Sequence, residues 1–420
     1  MFRPLLFILW LLAGHAFADH PGEGSEKLPD MISEALANSP GIQAKVEHLN
    51  AAKDRVQGSR SGLAPTVSAA GGRKTDGGGD SEIVGTNFAQ LDAAWNLYRG
   101  GSDQSKQRIA DLETEIASRE LQSEKLKAAE AVAETFFELQ YISESLALIE
   151  DMITQTKRGK DTARRRMATG QTTSVDALEF DILESKLRSQ MAAYQTDESI
   201  LSQKMHSYLD RAENKPIKVH GHLLRSSWAM NFDELEAHAL SENPRIAAAK
   251  LNAERVNGDL SVLRAEFFPS VDAMGSWGKL ANSSPTATKP SWSTELRVTV
   301  PLFTGLSTVK ARDAKTHEKS ALDLEILNVK REIQTELLEQ ITRMRSFEQR
   351  LVLEENSMSQ ADKYLKLTQS EYARGIKNSP DLASAMDLVL NAHLRNLELR
   401  REWYRARVRI QGITGKVPSA

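Results

Sequence analysis

The side chains that could do chemistry in this chain are few and do not cluster in the sequence. The 420 residues include no cysteine, which excludes a thiol nucleophile, a thiolate metal site and a lipidated cysteine. The sequence also lacks a Gly-x-x-x-x-Gly-Lys-Ser/Thr phosphate loop, a His-Glu-x-x-His zinc motif and a Gly-x-Ser-x-Gly nucleophile motif. His220 and His222 could supply two metal ligands, but a stable zinc site needs about four. We therefore expect a protein that is not an enzyme and holds no cofactor and no metal.

The charge and the composition limit the partners and the architecture. The 54 basic and 57 acidic residues give a net charge of −3, which excludes a strongly basic nucleic-acid-binding protein. Hydrophobic residues make up 40% and charged residues 26% of the chain. This ratio favours helices with narrow apolar stripes over a thick globular core.

Residues 1–18 have the pattern of a secretory signal peptide. Arg3 precedes the apolar run Leu5–Leu12, and Ala16-Phe17-Ala18 supplies small residues before the predicted cleavage site. The apolar run is shorter than the roughly 20 residues of a membrane helix, and no later stretch reaches that length. We expect export in a Gram-negative bacterium and no α-helical membrane span. Strands of a membrane β-barrel are not excluded, because their alternating signal is weaker.

Four landmarks occur twice in the same order, at an offset of 204 or 205 residues. Ala35-Leu36 before Pro40 recurs as Ala239-Leu240 before Pro244, and Leu63-Ala64-Pro65 recurs as Phe267-Phe268-Pro269; Leu97-Tyr98-x-Gly100 recurs as Leu302-Phe303-x-Gly305, and Ala168-Thr169-Gly170 recurs as Ala373-Arg374-Gly375. A repeat of this length indicates a duplicated domain rather than a solenoid.

The duplication defines the predicted domains. A first repeat spans 19–209 and a second spans 232–412; a linker or equatorial segment over 210–231 joins them, and 413–420 form a C-terminal tail. Each repeat is predicted to contain a helix, a strand pair (65–98 and 269–303) and a long helical hairpin. The hairpin turns lie near Gly170 and Gly375.

The first hairpin begins with a long predicted helix over Ser102–Met167, with Ser102-Asp103 as its N-cap after Gly100-Gly101. Its apolar residues recur at steps of three and four: Val132, Phe136, Leu139, Ile142, Leu146, Ile149 and Ile153. At about 1.5 Å per residue such a helix is on the order of 100 Å long. That length suits a rod that crosses the periplasm.

The predicted strands alternate between apolar and polar residues. Even positions over 292–302 are mostly apolar, as are odd positions over 89–97, whereas the segments Gly71–Gly79 and Ala281–Pro290 are predicted loops. This pattern fits both a lipid-facing barrel wall and a half-buried sheet of a soluble protein. Tryptophans near the strand ends favour the membrane. Four strands are fewer than the roughly eight of the smallest membrane barrels, so a barrel would have to close between chains.

The mature chain resembles the TolC family of outer-membrane efflux and secretion ducts along essentially its whole length. The resemblance rests on the duplicated order of the Ala-Leu-x-x-x-Pro helix starts, Pro65 and Pro269, the Leu97-Tyr98-x-Gly100 type exits, and the Gly170 and Gly375 turns followed by Asp. It implies a mainly α fold with a membrane β-barrel. Each of three chains would give four strands to a 12-stranded barrel, above an α-helical tunnel with a mixed α/β equatorial belt.

The resemblance also implies a function and partners. The protein would be the passive exit duct of a tripartite efflux pump or a type I secretion system, in the outer membrane and extending into the periplasm. Its partners would be two further copies in a homotrimer, a periplasmic adaptor, an inner-membrane transporter of the ABC, RND or MFS type, and outer membrane lipid. A duct without a lipidated cysteine is similar to the unlipidated members.

Site residues follow from the resemblance by position. The hairpin tips at Gly170 and Gly375 would dock the adaptor and open like an iris. The gate residues would be Asp176, Tyr372, Lys377 and Asp381; the residues at the membrane interface would be Trp95, Tyr98, Trp277, Trp292 and Phe303. Ser384 stands where the family often has a second acidic residue, and Pro380 is inserted nearby, so a dense acidic ring is not expected. A periplasmic adaptor and a structural coiled-coil protein remain alternatives.

Overall fold

The computed structural model describes residues 26–76, 84–212, 215–224, 228, 231–280 and 289–418. The predicted signal peptide over 1–18 and most of the predicted loop over 281–290 lie outside these residues. The described chain contains eight helices and four strands. The helices are α1 Leu28–Asn38, α2 Pro40–Ser61, α3 Ser102–Ala168, α4 Ser174–Leu209, α5 Phe232–Glu242, α6 Pro244–Ala265, α7 Ser307–Ala373 and α8 Ser379–Ile413. The strands are β1 Thr66–Asp76, β2 Val84–Arg99, β3 Ser270–Lys279 and β4 Ser291–Thr299.

The four strands form one antiparallel sheet in the order β1-β2-β3-β4. The central pair joins the two repeats, because β2 belongs to the first and β3 to the second. A register shift between Asn96 and Tyr98 places a bulge near the end of β2. Each outer strand, β1 and β4, has one neighbour among the described residues, so each leaves one edge unpaired.

The strand β1 is longer than the sequence indicates. Gly71 and Gly72, expected in a loop, pair with Ala89 and Phe88 and continue the ladder to Asp76. A Cβ atom at Gly72 would lie 3.1 Å from the Phe88 ring, so the small residue makes room for the aromatic side chain. The assignment of this segment to a loop from its glycine content was therefore wrong up to Asp76.

The long helices pack as two hairpins with a shared centre. Helix α3 contacts α4, α8, α2 and α6. Helix α7 contacts α8 and α6. The predicted stripe on α3 is buried, except for Leu146, which is partly buried. The expected N-cap at Ser102-Asp103 is wrong, because Gly101 caps the helix with a φ of +87°. Only glycine adopts this conformation without strain.

The segment after α4 is fixed against the helices by backbone contacts. Val219 forms a parallel bridge with Glu26, the side-chain Nε2 of Gln140 donates to His220 O at 2.8 Å, and the Leu223 backbone amide donates to the Glu144 carboxylate at 2.7 Å. Three clusters of buried apolar side chains hold the helices together, one of them between the lower parts of the two hairpins. The part of the chain that the structure describes contains no group of three or more His, Asp or Glu side chains able to hold a metal ion.

Candidate functional site

Each helical hairpin turns on a glycine in the left-handed conformation. Gly170 has a φ of +70° and Gly375 a φ of +80°. At the first turn the Gln171 amide donates to Arg166 O at 2.9 Å, and at the second the Ile376 amide donates to Glu371 O at 3.0 Å. These bonds satisfy carbonyl groups at the helix ends. The two turns are the hairpin tips.

Tyr372 is buried beside the second tip, with 3% of its surface exposed. Its hydroxyl lies 3.3 Å from the Ser379 hydroxyl, and its ring stands edge-on to Phe180 of the first hairpin, 6.1 Å between centroids. Arg166 reaches across from α3: its Nη1 donates to Tyr372 O at 3.0 Å, and its guanidinium lies 5.0 Å from the ring centroid. Arg166 and Tyr372 therefore connect the two tips within one chain.

Asp381 and Lys377 are arranged around the start of α8. The Asp381 side chain accepts from the Asn378 amide at 3.3 Å, and the Asn378 side chain accepts from the Asp381 amide at 3.1 Å. This capping box stabilises the helix start. The Lys377 ammonium lies 4.0 Å from the Asp381 carboxylate. Asp381 thus already has local partners in its own chain.

Asp176 lies in the first turn of α4, where its charge suits the helix dipole. No residue of the described ranges forms an ion pair with its carboxylate. The structure brings Tyr372, Lys377 and Asp381 to one tip and places Asp176 at the other. Further links between the hairpins come from Lys186 to Asp387 at 2.7 Å and from Gln369 to Gln155 at 3.4 Å.

The sequence pattern did not identify Arg166 as a functional residue. It stands in the run Arg164-Arg165-Arg166 four residues before Gly170, which marks it as close to the turn. Its partner Tyr372 is 206 positions away. Nothing in the local pattern distinguishes Arg166, which is half-buried, from Arg164 and Arg165, which are exposed.

One face of the sheet is apolar across all four strands. The pairs Val67 with Ala93, Leu91 with Trp277, and Ala273 with Leu296 lie side by side on this face. It is exposed: Leu91 has 47%, Trp277 58%, Trp292 74% and Leu296 67% of its surface accessible in the single chain. Such a large apolar face needs a non-aqueous environment or a partner.

The opposite face of the sheet is polar. Asp92 accepts hydrogen bonds from Ser276 at 2.6 Å and from Gln90 at 2.9 Å, and Arg297 pairs with Glu295 at 2.7 Å. The strands contain 9 to 16 residues, which is long enough for a membrane-barrel strand of about 9–11 residues, and their one apolar and one polar face match the pattern of such strands.

The predicted interface aromatics form two groups at opposite ends of the apolar face. Trp277 and Trp292 pair directly near the β3–β4 connection. Trp95, Tyr98 and Phe303 lie at the helical end, where the Trp95 indole donates to Leu63 O at 2.8 Å. All five are exposed by 46% or more. Amphipathic rings at both ends of an apolar band suit the two surfaces of a bilayer. None of the described helices has an apolar stretch that could span a membrane.

Comparison with known proteins identifies the family. The family model described as "Outer membrane efflux protein" matches residues 31–207 and 236–416, which is most of the chain. The chain belongs to the outer membrane efflux protein family. The resemblance to TolC-type ducts is thereby confirmed, and so is the fold class of long helical hairpins with four strands per chain.

Individual relatives are distant in sequence and similar in fold. The probable efflux pump outer membrane protein TtgC of Pseudomonas putida is 21% identical over 405 residues, which covers 90% of this chain and 82% of TtgC. The solved outer-membrane channel OprN has a TM-score of 0.81 at 16% identity, covering 92% of this chain and 89% of OprN. The CmeC channel of Campylobacter jejuni has a TM-score of 0.80 at 14% identity, covering 92% of this chain and 85% of CmeC.

Family membership establishes the location and the general role. Outer membrane efflux proteins are channels, not enzymes, and they span the periplasm of Gram-negative bacteria from the outer membrane. They trimerise and work with adaptors and inner-membrane transporters. The expected outer membrane location is confirmed, and the alternatives of a periplasmic adaptor and a structural coiled-coil protein are excluded.

Proposed function

We propose that three copies of this chain form a passive exit duct for efflux, with a gate at the hairpin tips. The observation that carries the proposal is the sheet: its apolar face is exposed and its two outer strands each have an unpaired edge among the described residues. Unpaired backbone groups in lipid cost several kcal/mol each. Pairing of β1 with β4 of the next chain removes both edges, and three chains give 12 strands.

The helices support the same ring. The flanking helices α4 and α7 expose large apolar side chains along their length: Val175, Leu178, Ile182 and Ile200 on α4, and Leu338, Leu353 and Leu367 on α7. The central helix α3 buries its stripe within the chain. In a ring of three, α4 of one chain would cover α7 of the next.

The contact between Arg166 and Tyr372 is proposed to hold the gate closed from within each chain. Asp176 and Lys377 are proposed to form further links between neighbouring chains, and each exposed link would contribute at most about 1 kcal/mol. Several such links in a threefold ring could hold a closed state whose population an adaptor shifts. The adaptor is proposed to dock at the tips around Gly170 and Gly375.

Single-channel conductance in planar bilayers tests the gate. Arg166→Gln should raise the fraction of open channels, whereas Arg164→Gln should not, because Arg164 is exposed two residues earlier and has no partner in the described ranges. If Arg166→Gln had the same fraction of open channels as the wild type, the role of Arg166 in the gate would be refuted. The double variant Asp176→Asn with Lys377→Gln tests the links between chains in the same assay, and an unchanged closed state would refute them.

Cross-linking tests adaptor docking. Because the chain has no native cysteine, an introduced cysteine is the only thiol of the chain that can react. A single cysteine at the exposed Thr169 should capture the adaptor in cells, whereas a cysteine at Lys53 on the exposed side of α2 should not. Equal capture from both positions would contradict docking at the tips. Efflux is favoured over type I secretion because TtgC is named as an efflux pump protein. Deletion of the gene should therefore raise sensitivity to small toxic molecules.

A further inference from the structure

A carboxylate of α3 lies directly on the backbone of α8 at Gly412. A Cβ atom added to Gly412 would overlap the carboxylate of Glu130. Gly412 still lies within α8, and glycine in a helix is unfavourable because it adds backbone entropy to the unfolded chain. Its presence leaves a space that the Glu130 side chain fills. The Glu130–Gly412 contact, called the seat below, is therefore a specific site that holds a carboxylate between α3 and α8.

The surroundings of this seat do not favour a negative charge. Burial, and then the neighbouring carboxylates of Glu134 on α3 and Glu336 on α7, raise the pKa of Glu130 to about 7. Arg409 on α8 and Lys127 on α3 act in the opposite direction and do not cancel this effect. Within the described ranges, Glu130 has neither a hydrogen-bond donor nor an ion-pair partner.

The nearby arginines are already paired with other acids. Arg409 Nε donates to Glu134 at 2.8 Å, and Arg245 of α6 lies 3.7 Å from Glu336. The exposed Lys127 compensates an ionised Glu130 only in part, so this charge between helices is costly in a partly buried place. It would have to leave its seat or admit water.

The seat lies where the two repeats meet. Helix α3 belongs to the first hairpin and packs on α8, which packs on α7 in the second. The end of α8 is also tied to the start of α6, because Asn243 Nδ2 donates to Ile413 O at 2.9 Å. A change at Gly412 therefore acts on the contact between the two hairpins, far along the helices from the tips.

We propose that Glu130 is a proton-sensitive contact between the two hairpins: the neutral carboxyl holds α8 on α3, and the ionised carboxylate loosens this contact. If the tips form the gate, as proposed above, ionisation of Glu130 also favours the open duct.

The sign of the effect follows from the two environments of Glu130. The closed contact holds the proton up to about pH 7, whereas a solvated Glu130 in the loosened state has its ordinary pKa of 4.5. The ratio of loosened to closed chains should therefore rise by up to about tenfold per pH unit between these two values. Above about pH 7 the ratio should be constant. Acidification closes the contact and alkalinisation loosens it.

Distances between spin labels measure the contact itself in full-length protein. Cysteines at Lys125 on α3 and Val417 after α8, both exposed, would carry the labels, in assemblies diluted with unlabelled chains. The separation should increase from pH 5 to pH 7 in the otherwise native protein. Glu130→Gln should keep the short separation at every pH, and Gly412→Ala should show the long separation even at pH 5. Glu325→Gln, an exposed glutamate of α7, is the matched control and should behave like the parent.

Conductance of the same variants between pH 5 and pH 8 separates this proposal from the tip gate. A fraction of open channels that rises with pH in the parent and in Glu325→Gln, but not in Glu130→Gln, supports both. A pH-dependent separation without a change in conductance upholds the Glu130 contact and refutes its coupling to the tip gate, which the Arg166→Gln variant tests separately. A separation that is independent of pH in the parent, or that changes with pH in Glu130→Gln as it does in the parent, overturns the proposal.

Discussion

Replacement of Gly159 by alanine tests the packing of the first hairpin next to its tip. A Cβ atom at Gly159 of α3 would lie 2.7 Å from Cε1 and 2.9 Å from Cζ of Phe180 on α4. The Phe180 side chain is fully buried, so its ring cannot move away from α3 without disturbing the side chains around it. The same ring contacts Tyr372. The added methyl group should therefore disturb both the hairpin and the contact between the tips.

Two opposing effects set the magnitude. Overpacking of a well-filled core costs about 1–3 kcal/mol. Alanine in place of glycine inside a helix stabilises by about 0.5–1 kcal/mol. The middle of these two ranges gives a net loss of about 1 kcal/mol for Gly159→Ala. Gly58 of α2 is the matched control, because a Cβ atom added there would have no other atom within 4 Å and only the stabilising effect remains.

Hydrogen exchange of the backbone amides of α4 around Phe180 measures this loss locally. A loss of about 1 kcal/mol corresponds to roughly fivefold faster exchange in Gly159→Ala. Gly58→Ala should slow the exchange of α2 and leave α4 unchanged. If Gly159→Ala exchanged as slowly as the wild type, the close approach of Phe180 to the α3 backbone would be wrong.

Three further predictions concern the sheet, the base of the helical bundle and the second tip. Leu296→Arg places a charge on the apolar face at a cost of about 2–4 kcal/mol near the bilayer midplane, whereas Ser293→Arg on the polar face should be tolerated; equal amounts of both variants in the outer membrane would contradict the assignment of the faces. Arg211 binds Glu26 and Glu34, and its hydrogen bond lowers the pKa of Glu34, so the stability it contributes is present above the ordinary pKa of 4.5 and is lost as the pH falls through the lowered value. Arg211→Gln should therefore lower the melting temperature at pH 7 and reduce its acid dependence, and an unchanged pH profile would refute this. Asn378→Ala removes the cap of α8 and should cost about 1 kcal/mol, seen as faster hydrogen exchange at the start of α8, whereas Asn378→Asp should exchange like the wild type.

The features that follow from local sequence pattern were predictable. The helix expected over Ser102–Met167 differs from α3 by one residue at its end, because the three- and four-residue spacing of apolar side chains and the glycines at both ends define it. The alternating strands were also recognisable, and so were Gly170 and Gly375 as turns. In each case neighbouring residues alone determine the backbone conformation.

The features that depend on residues far apart in the sequence were not predictable. The strand conformation of Gly71 and Gly72 is imposed by pairing with β2, against their local preference for a loop. The contact of Arg166 with Tyr372 depends on how two hairpins lie side by side. The same holds for Glu130. It is one of many charged residues of α3, and the sequence does not show that Gly412 of α8 packs against it.

The two repeats share a sequence pattern but not an environment, and this difference explains the chain's need for neighbours. Helices α3 and α7 both contain 67 residues. Yet α3 is enclosed by helices of both repeats, whereas α7 lies at the flank and leaves Leu353 and Leu367 more than 60% exposed. The sheet has the same asymmetry within the described residues, since β2 and β3 are paired on both sides and β1 and β4 are not. When two repeats lie side by side, the outer surface of the first repeat and the outer surface of the second repeat both stay uncovered. The two free flanks are different surfaces, so they can be covered only head to tail, and a closed ring is the arrangement that leaves none uncovered.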